Sequence, residues 1–270
     1  MGRRCRRAID WGYMGRLERG WRQVRWSLAQ RGLGGTLRVV RERVTGQRGP
    51  EAVTVHPFDV EFGVDTSGFV GAWELDGKGP NQRHSNPYYG VPPSRLREAL
   101  RRWKEMVEGE GRTVGEFAFV DIGCGKGRAM MIASEMEFRE VDGLELSAGL
   151  AETARQNVER WREMGRARSP LQVAEGDATL ADLPDGPWLI FMYNSFQAPV
   201  MRRMMQRLEE AARESSRRMY LLYVVPEQEA VVAEFPRFER LWSEVIPLSE
   251  EEERMDRVSS PEDRCSLYRR

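Results

Sequence analysis

Residues 117–127 of the sequence read Phe-Ala-Phe-Val-Asp-Ile-Gly-Cys-Gly-Lys-Gly, and a helical pattern begins directly afterwards at Arg128. The apolar run predicts a buried strand, and the glycines at positions 123, 125 and 127 predict a tight turn into the helix. Glycines in such a turn let the backbone come close to a bound ligand, because no Cβ atom intervenes. The stretch therefore indicates a strand, a ligand-binding loop and a helix, in the order typical of a parallel α/β sheet.

The same alternation of strand and helix patterns continues to the end of the chain. Predicted strands cover residues 117–122, 141–146, 171–174, 188–193, 218–225, 238–246 and 265–269, with helices predicted at 128–137, 148–164, 199–214 and 227–235. A further helix, from Ser94 as its N-cap to about Gly109, precedes the first strand, and its apolar stripe is Leu96, Leu100, Trp103 and Val107. An acidic loop at 249–263 joins the last two strands. The pattern predicts a Rossmann-like α/β domain with a seven-stranded, mostly parallel sheet.

Charge and composition divide the 270-residue chain into three parts. Residues 1–50 hold thirteen Arg against three acidic residues and predict a basic helical N-terminal extension. Residues 51–93, rich in Gly, Pro and Asn, predict a connecting segment that partly covers the site, and residues 94–270 form the α/β domain. The extension is compatible with a helical cover packed on the domain, with a transit peptide, and with binding to nucleic acid or an anionic membrane surface.

Cysteine and histidine usage bears on metals and on the compartment. The three Cys and two His lack the spacing of metal ligands, and no apolar run reaches the length of a membrane span. We therefore expect a cytoplasmic protein that holds no metal.

Two acidic residues stand at the ends of the second and third predicted strands. A carboxylate at Glu145 can accept hydrogen bonds from both hydroxyls of a ribose. Asp177 can accept a hydrogen bond from the amine of adenine, beside the backbone N–H of Ala178, or it can cap a short helix at 179–183. The loop lacks the Gly-Lys-Ser/Thr of a phosphate-binding P-loop, although Lys126 leaves a pyrophosphate-containing nucleotide open. The spacing favours an adenosyl ligand.

On these residues the chain, over roughly 85–270, resembles the class I S-adenosylmethionine-dependent methyltransferases. The resemblance implies S-adenosylmethionine as the cofactor and a sheet whose last strand runs antiparallel. It also implies that the loop from Asp121 to Gly127 holds the methionine end, that Glu145 holds the ribose and that Asp177 faces adenine. The cofactor-binding residues assigned in this way are Asp121, Gly123, Gly125, Glu145, Leu146, Asp177, Ala178 and Asn194. Residues 58–68 together with 89–93 are similar to a group of bacterial methyltransferases of this superfamily.

Two segments are candidates for contact with the methyl acceptor. The fourth strand ends in Tyr193-Asn194-Ser195-Phe196, which is similar to the Asn/Asp-Pro-Pro-Tyr/Phe motif of N-methyltransferases but lacks both prolines. Residues 86–93 resemble an element that closes over the cofactor in several subfamilies, including protein-lysine methyltransferases. The catalytic candidates are therefore Asn194, Tyr193 and Tyr88. His84 and His56 are further candidates, as general bases, if the connecting segment folds over the site.

The resemblance implies methyl transfer but does not identify the acceptor. A protein side chain, with lysine as one candidate, or a small molecule is the acceptor that we expect. A nucleic-acid methyltransferase recruited by the Arg-rich N-terminus is one alternative. A cofactor-binding module that interacts with partners without catalysis is the other.

Overall fold

The computed structural model of the protein describes residues 55–77, 79–215, 217–256, 259 and 263–270. The basic helical extension predicted for residues 1–50 lies outside the described residues. Apart from Ser259, the described residues belong to one compact unit. No helix in the described part of the chain has both the length and the apolar character that crossing a membrane requires.

Strands and helices alternate along this unit. The strands are β1 (Ala118–Ile122), β2 (Glu140–Glu145), β3 (Leu171–Glu175), β4 (Trp188–Tyr193), β5 (Met219–Val224), β6 (Glu239–Val245) and β7 (Arg264–Arg269). The helices are α1 (Pro57–Phe62), α2 (Pro93–Gly109), α3 (Arg128–Ser134), α4 (Ala148–Glu163), α5 (Ala198–Ser215), α6 (Glu229–Val232) and α7 (Glu250–Met255). Single 3-10 turns cover Gln82–His84 and Val114–Glu116.

The strands form one seven-stranded sheet in the order β3-β2-β1-β4-β5-β7-β6. Strands β1 to β5 pair in parallel, whereas β7 pairs antiparallel with both β5 and β6. Every residue of β1 and β5 is buried, as expected for central strands with helices on both faces. The predicted mostly parallel sheet with an antiparallel last strand is confirmed.

Each face of the sheet packs against its own apolar cluster. On one face the predicted stripe of α2 is completely buried, and the Trp103 ring stacks on Phe138 at 5.3 Å between ring centroids. On the other face α5 packs Met201, Met204, Met205 and Leu208 against β4 and β5. The two layers of helices hold the strands so that the carboxyl ends of β1 to β5 meet at one edge of the sheet.

Several predicted boundaries are wrong. Helix α2 begins at Pro93, so Ser94 is not its N-cap. The backbone N–H of Ser94 instead donates to the Glu252 carboxylate at 2.9 Å. The predicted acidic loop at 249–263 contains α7, which Ser249 and Glu252 begin with reciprocal capping hydrogen bonds. The predicted helices at 128–137 and 227–235 are shorter, as α3 and α6 show. Helix α1 has no strong signal in the sequence, because it is only six residues long.

Candidate cofactor cleft

The glycine-rich loop between β1 and α3 lies against the end of β2. The backbone N–H groups of Gly123 and Cys124 both donate to the carbonyl of Leu144, at 2.8 and 3.1 Å. Gly123 and Gly125 have φ values of 78° and 56°, a region that residues with a Cβ rarely adopt. A Cβ on Gly123 would lie 2.9 Å from the Ser195 side chain, so the chain after β4 packs directly on this glycine. The loop therefore depends on glycine for both conformation and space.

At Gly125 the Tyr88 ring occupies the space that a side chain would need. A Cβ on Gly125 would come within 2.2 Å of this ring. The Tyr88 backbone pairs with Val70, and its hydroxyl donates to the Thr66 carbonyl at 2.7 Å, so the ring is held from both ends. Tyr88 thereby holds Thr66 and Val70 next to the loop.

We expect Gly125→Ala to destabilise the protein more than Gly165→Ala. Both glycines have positive φ, at 56° and 66°, but nothing lies within 4 Å of a Cβ on Gly165. The cost of placing a residue with a Cβ atom at positive φ, roughly 1–2 kcal/mol, is therefore common to both variants. Overlap with the fixed Tyr88 ring adds roughly 1–3 kcal/mol at position 125 only. Urea unfolding measures the difference, and equal losses would contradict the close contact.

The Glu145 carboxylate ties the loop to the start of α4. One oxygen, Oε2, accepts from the backbone N–H of Gly125 and the other, Oε1, from that of Ser147, each at 2.8 Å. The side chain is buried, and burial raises the pKa of Glu145 above its ordinary value. Its partner in the sheet register, Glu175, also ends a strand but is exposed to solvent. The two carboxylates therefore differ in environment although they end neighbouring strands.

The Asp121 carboxylate, at the end of β1, is only 2% exposed. Among the described residues its Oδ2 atom has no hydrogen-bond partner. Burial, together with the neighbouring Glu145 carboxylate, raises the pKa of Asp121 well above its ordinary value. A buried polar atom without a partner is costly, and such atoms are common at ligand sites. Asp121 therefore suits a donor or a cation supplied by a ligand.

The Asp177 carboxylate, after β3, uses its two oxygens differently. Its Oδ1 accepts from the backbone N–H of Thr179 at 3.0 Å and from the Thr179 hydroxyl at 2.7 Å. This contact caps a turn after β3, rather than the helix predicted at 179–183. Its Oδ2 accepts from the Asn81 side-chain amide at 2.6 Å. Asp177 therefore both caps a turn and presents one oxygen towards residues 79–91.

A cleft lies at the carboxyl ends of β1, β2, β3 and β4. Its walls include eight of the residues predicted for the site: Tyr88, Asp121, Gly123, Glu145, Leu146, Asp177, Ala178 and Tyr193. Residues from 81 to 91 line the opposite wall, among them Asn81, Asn86 and Tyr89. Residues 84–86 lie beside the end of β4, where the backbone N–H of Asn86 donates to the Ser195 carbonyl and that of Gln197 donates to the His84 carbonyl. Part of the connecting segment thus lines the cleft.

The remaining predicted site residues, which are Gly125, Asn194, His84 and His56, are not among the residues that line the cleft. Asn194 has a positive φ of 44°, and its carbonyl and side-chain oxygens accept from the Asn86 amide at 2.7 and 3.2 Å. Its side chain also forms a hydrogen bond with the Glu227 carboxylate. His84 contacts Gln197 at 3.5 Å, and His56 caps α1 by accepting from the backbone N–H of Phe58.

No protein-family model matches the sequence, and no curated protein matches it significantly. Several solved structures are similar. A candidate RNA methyltransferase from Pyrococcus horikoshii is 17% identical, with 73% of this chain and 93% of that chain covered at a TM-score of 0.47. An S-adenosylmethionine-dependent methyltransferase from Clostridium acetobutylicum is 9% identical, with 66% and 92% covered and a TM-score of 0.46. Magnesium protoporphyrin IX methyltransferase from Synechocystis is 14% identical, with 65% and 78% covered and a TM-score of 0.44.

The strand order of the sheet itself identifies the fold. Five parallel strands are followed by β6 and by an antiparallel β7 that inserts between β5 and β6. The described part of the chain has a Rossmann-like fold. In this fold the chain passes from β1 outwards to β2 and β3 and then returns to β4 on the other side of β1. Ligands of open α/β sheets bind at such a switch point, which is where the cleft lies.

Sequence reasoning missed residues that reach the cleft from distant parts of the chain. Asn81 and Asn86 contact Asp177 and Asn194, which are 96 and 108 positions further along the chain. The sequence also does not single out Arg128 as a residue of the cleft, because arginine is frequent throughout the chain. The signal that could have found Asn86 is its place at the start of the Asn-Pro-Tyr-Tyr segment.

Proposed function

We propose that the protein is an S-adenosylmethionine-dependent methyltransferase. The observation that carries the proposal is the convergence of three carboxylates, Asp121, Glu145 and Asp177, on one cleft beside the glycine-rich loop. They come from the ends of three adjacent parallel strands, so their spacing is set by the sheet. A cleft with this charge favours a cationic ligand.

The residues present fit the chemical groups of S-adenosylmethionine. The unpartnered Oδ2 of Asp121 suits the ammonium group of the methionine part. Each Glu145 oxygen accepts one backbone hydrogen bond and retains a lone pair for a ribose hydroxyl. The Oδ2 atom of Asp177 retains a lone pair for the adenine amine.

A ligand with a pyrophosphate fits less well. Three carboxylates would repel its negative charges in a buried cleft. Lys126, the residue that could attract it, has its amine within 2.7 Å of Asp65 Oδ1 and 2.9 Å of the Ser67 carbonyl. The amine is thus engaged away from the cleft wall. This arrangement supports the adenosyl ligand over a nucleotide.

The cofactor supplies the activated methyl group, so the protein must orient the acceptor and exclude water. Tyr193, Tyr89 and Asn86 line the part of the cleft next to the end of β4. We propose that the methyl acceptor enters there, and that it is a protein side chain or a small molecule. A narrow acceptor is favoured because residues of the connecting segment share the lining of the cleft with the strand ends.

Isothermal titration calorimetry with S-adenosylhomocysteine tests the cofactor assignment. We expect the wild-type protein to bind it and Glu145→Gln to bind it roughly 10- to 100-fold more weakly, because an amide cannot accept from both Gly125 and Ser147. Glu175→Gln is the matched control, since Glu175 ends the neighbouring strand in solvent. Absence of binding to the wild-type protein would overturn the proposal.

Transfer of a labelled methyl group from S-adenosylmethionine into a cell extract tests the acceptor. We expect the label in protein or in the small-molecule fraction, and its loss when Glu145→Gln replaces the wild-type enzyme. Label that is released by ribonuclease or deoxyribonuclease treatment would instead identify a nucleic-acid acceptor.

A further inference from the structure

The side chain of Asn81 joins three separate parts of the molecule. Its Nδ2 atom donates to Asp177 Oδ2 at 2.6 Å and to the Thr179 hydroxyl at 3.2 Å. Its Oδ1 atom accepts from the guanidinium of Arg203 on α5. Asn81 is only 5% exposed, so these contacts are largely removed from solvent. The connecting segment, the turn after β3 and helix α5 are thus linked through one amide.

The orientation of this amide is determined by its neighbours. A guanidinium only donates hydrogen bonds and a carboxylate only accepts them. If the Asn81 amide were turned over, its NH₂ group would face Arg203 and its oxygen would face Asp177, and both contacts would be repulsive. Arg203 therefore directs the NH₂ group of Asn81 onto Asp177.

The hydrogen bonds around Asp177 leave one position for a ligand. Its Oδ1 already accepts two hydrogen bonds, both from Thr179. Its Oδ2 accepts one, from Asn81, and a carboxylate oxygen has two lone pairs. With the carboxylate held by these three donor groups, a single acceptor position remains for an N–H group in the cleft.

Five positions before Asn81, Asp76 forms hydrogen bonds with the start of helix α4. Its Oδ1 accepts from the Ser147 hydroxyl at 2.5 Å, and its two oxygens lie 3.2 and 3.1 Å from the backbone N–H of Gly149. These hydrogen bonds lower the pKa of Asp76, so it stays ionised at neutral pH. Asn81 is therefore held against Asp177 by contacts on both sides of it in the sequence.

We infer that Asn81, directed by Arg203, is a positioning residue that makes Asp177 select an aminopurine over an oxopurine. The remaining lone pair of Asp177 can accept from the amine of adenine. The carbonyl oxygen of hypoxanthine, which replaces that amine, would face the fixed carboxylate and be repelled. This inference rests on the proposed function, because it concerns the adenine end of the same cofactor site.

Calorimetry with S-adenosylhomocysteine and S-inosylhomocysteine tests the inference. We expect the wild-type protein to prefer the adenosyl compound by at least about 100-fold, and Asn81→Ala to bind it about tenfold more weakly. The preference itself should fall at least fivefold in Asn81→Ala, because the carboxylate can then rotate away from the carbonyl. Arg203→Met should reduce the preference in the same direction.

The matched control is Arg202→Met, because the neighbouring Arg202 pairs with Glu234 on the surface. It should leave both affinities unchanged. A purely structural role of Asn81 would weaken both ligands equally, so an unchanged preference in Asn81→Ala overturns the inference. Tighter binding by Asn81→Ala would also overturn it, by showing that Asn81 competes with adenine. A wild-type protein that binds neither compound would instead overturn the proposed function.

Discussion

Replacing Arg128 with methionine is expected to destabilise the protein by roughly 3–5 kcal/mol, the usual cost of removing one member of a buried charge pair. Arg128 is 3% exposed and lies 3.9 Å from the buried Asp59 carboxylate. Its guanidinium donates to the Thr66 hydroxyl and carbonyl and to the carbonyls of Gly90 and Val91. The substitution removes this donor from all four acceptors, of which the Thr66 carbonyl keeps the Tyr88 hydroxyl, and it leaves Asp59 without its nearby guanidinium.

Arg155→Met is the control for this prediction. Arg155 pairs with Glu152 on the surface of α4, where both side chains are substantially exposed. Exposed ion pairs of this kind contribute little to stability, so we expect the free energy of unfolding to change by less than about 0.5 kcal/mol. Urea unfolding measures both variants. Similar losses in the two would show that the contacts of Arg128 do not hold the connecting segment in place.

Arg128→Met should also loosen the packing of the connecting segment next to the cleft. Arg128 connects the start of α3, next to the glycine-rich loop, to residues 66 and 90–91. The amides of Val70 and Tyr88, which pair with each other, should therefore exchange hydrogen faster in Arg128→Met than in Arg155→Met.

Replacing Asp121 with asparagine is expected to have opposite effects on stability and on binding. The ligand-free protein should become more stable at neutral pH, by roughly 1–3 kcal/mol, because a neutral amide is less costly to bury than an unpartnered carboxylate. Affinity for S-adenosylhomocysteine should fall by about 100-fold, because the ammonium group loses its charged partner.

The stability gain should depend on pH with a definite sign. Burial and the Glu145 carboxylate raise the pKa of Asp121 in the folded protein above the unfolded value of about 3.9. Below that unfolded value the carboxyl is protonated in both states and carries no penalty. As pH rises towards the folded pKa, the unfolded state ionises first and the wild-type protein loses stability. The advantage of Asp121→Asn should therefore be absent below about pH 4 and should increase above it.

Asp142→Asn provides a matched control. Asp142 lies on β2, its Oδ1 is buried without a partner among the described residues, and burial raises the pKa of Asp142 to about 6. It is not part of the cleft wall. Its replacement should therefore stabilise the protein above about pH 4 and leave binding unchanged. If Asp121→Asn binds S-adenosylhomocysteine as the wild type does, the assignment of Asp121 to the ammonium group is wrong.

The distant hydrogen bonds of the connecting segment show why local sequence patterns could not predict the whole site. Glu145 and Asp177 were found from the sequence because each follows an apolar strand, and parallel strands end at the same edge of a sheet. Asn81 has no such position, and its role depends on Asp177 and Arg203, which lie 96 and 122 positions away. The conformation of residues 81–91 likewise depends on Ser195 and Val70 rather than on its own sequence pattern.

Helix α7 illustrates the same limit for the fold. Its sequence, Glu-Glu-Glu-Glu-Arg-Met, has no apolar stripe, so the sequence predicts an acidic loop. The helix is held instead by the cap at Ser249 and by Glu252, which accepts from Ser94 at a separation of 158 residues. Short elements without an apolar face are specified by such distant contacts.

The sequence by itself determined the alternation of strands and helices and the edge of the sheet at which the carboxylates stand. Both follow from apolar periodicity and from positions at strand ends, which are local properties of the chain. Only the tertiary structure determined which residues between 81 and 91 line the cleft, that Asn194 pairs with Asn86, and that one oxygen of Asp177 pairs with Asn81. Each of these depends on hydrogen bonds between residues far apart in the chain, and such pairings leave no periodic pattern in the sequence.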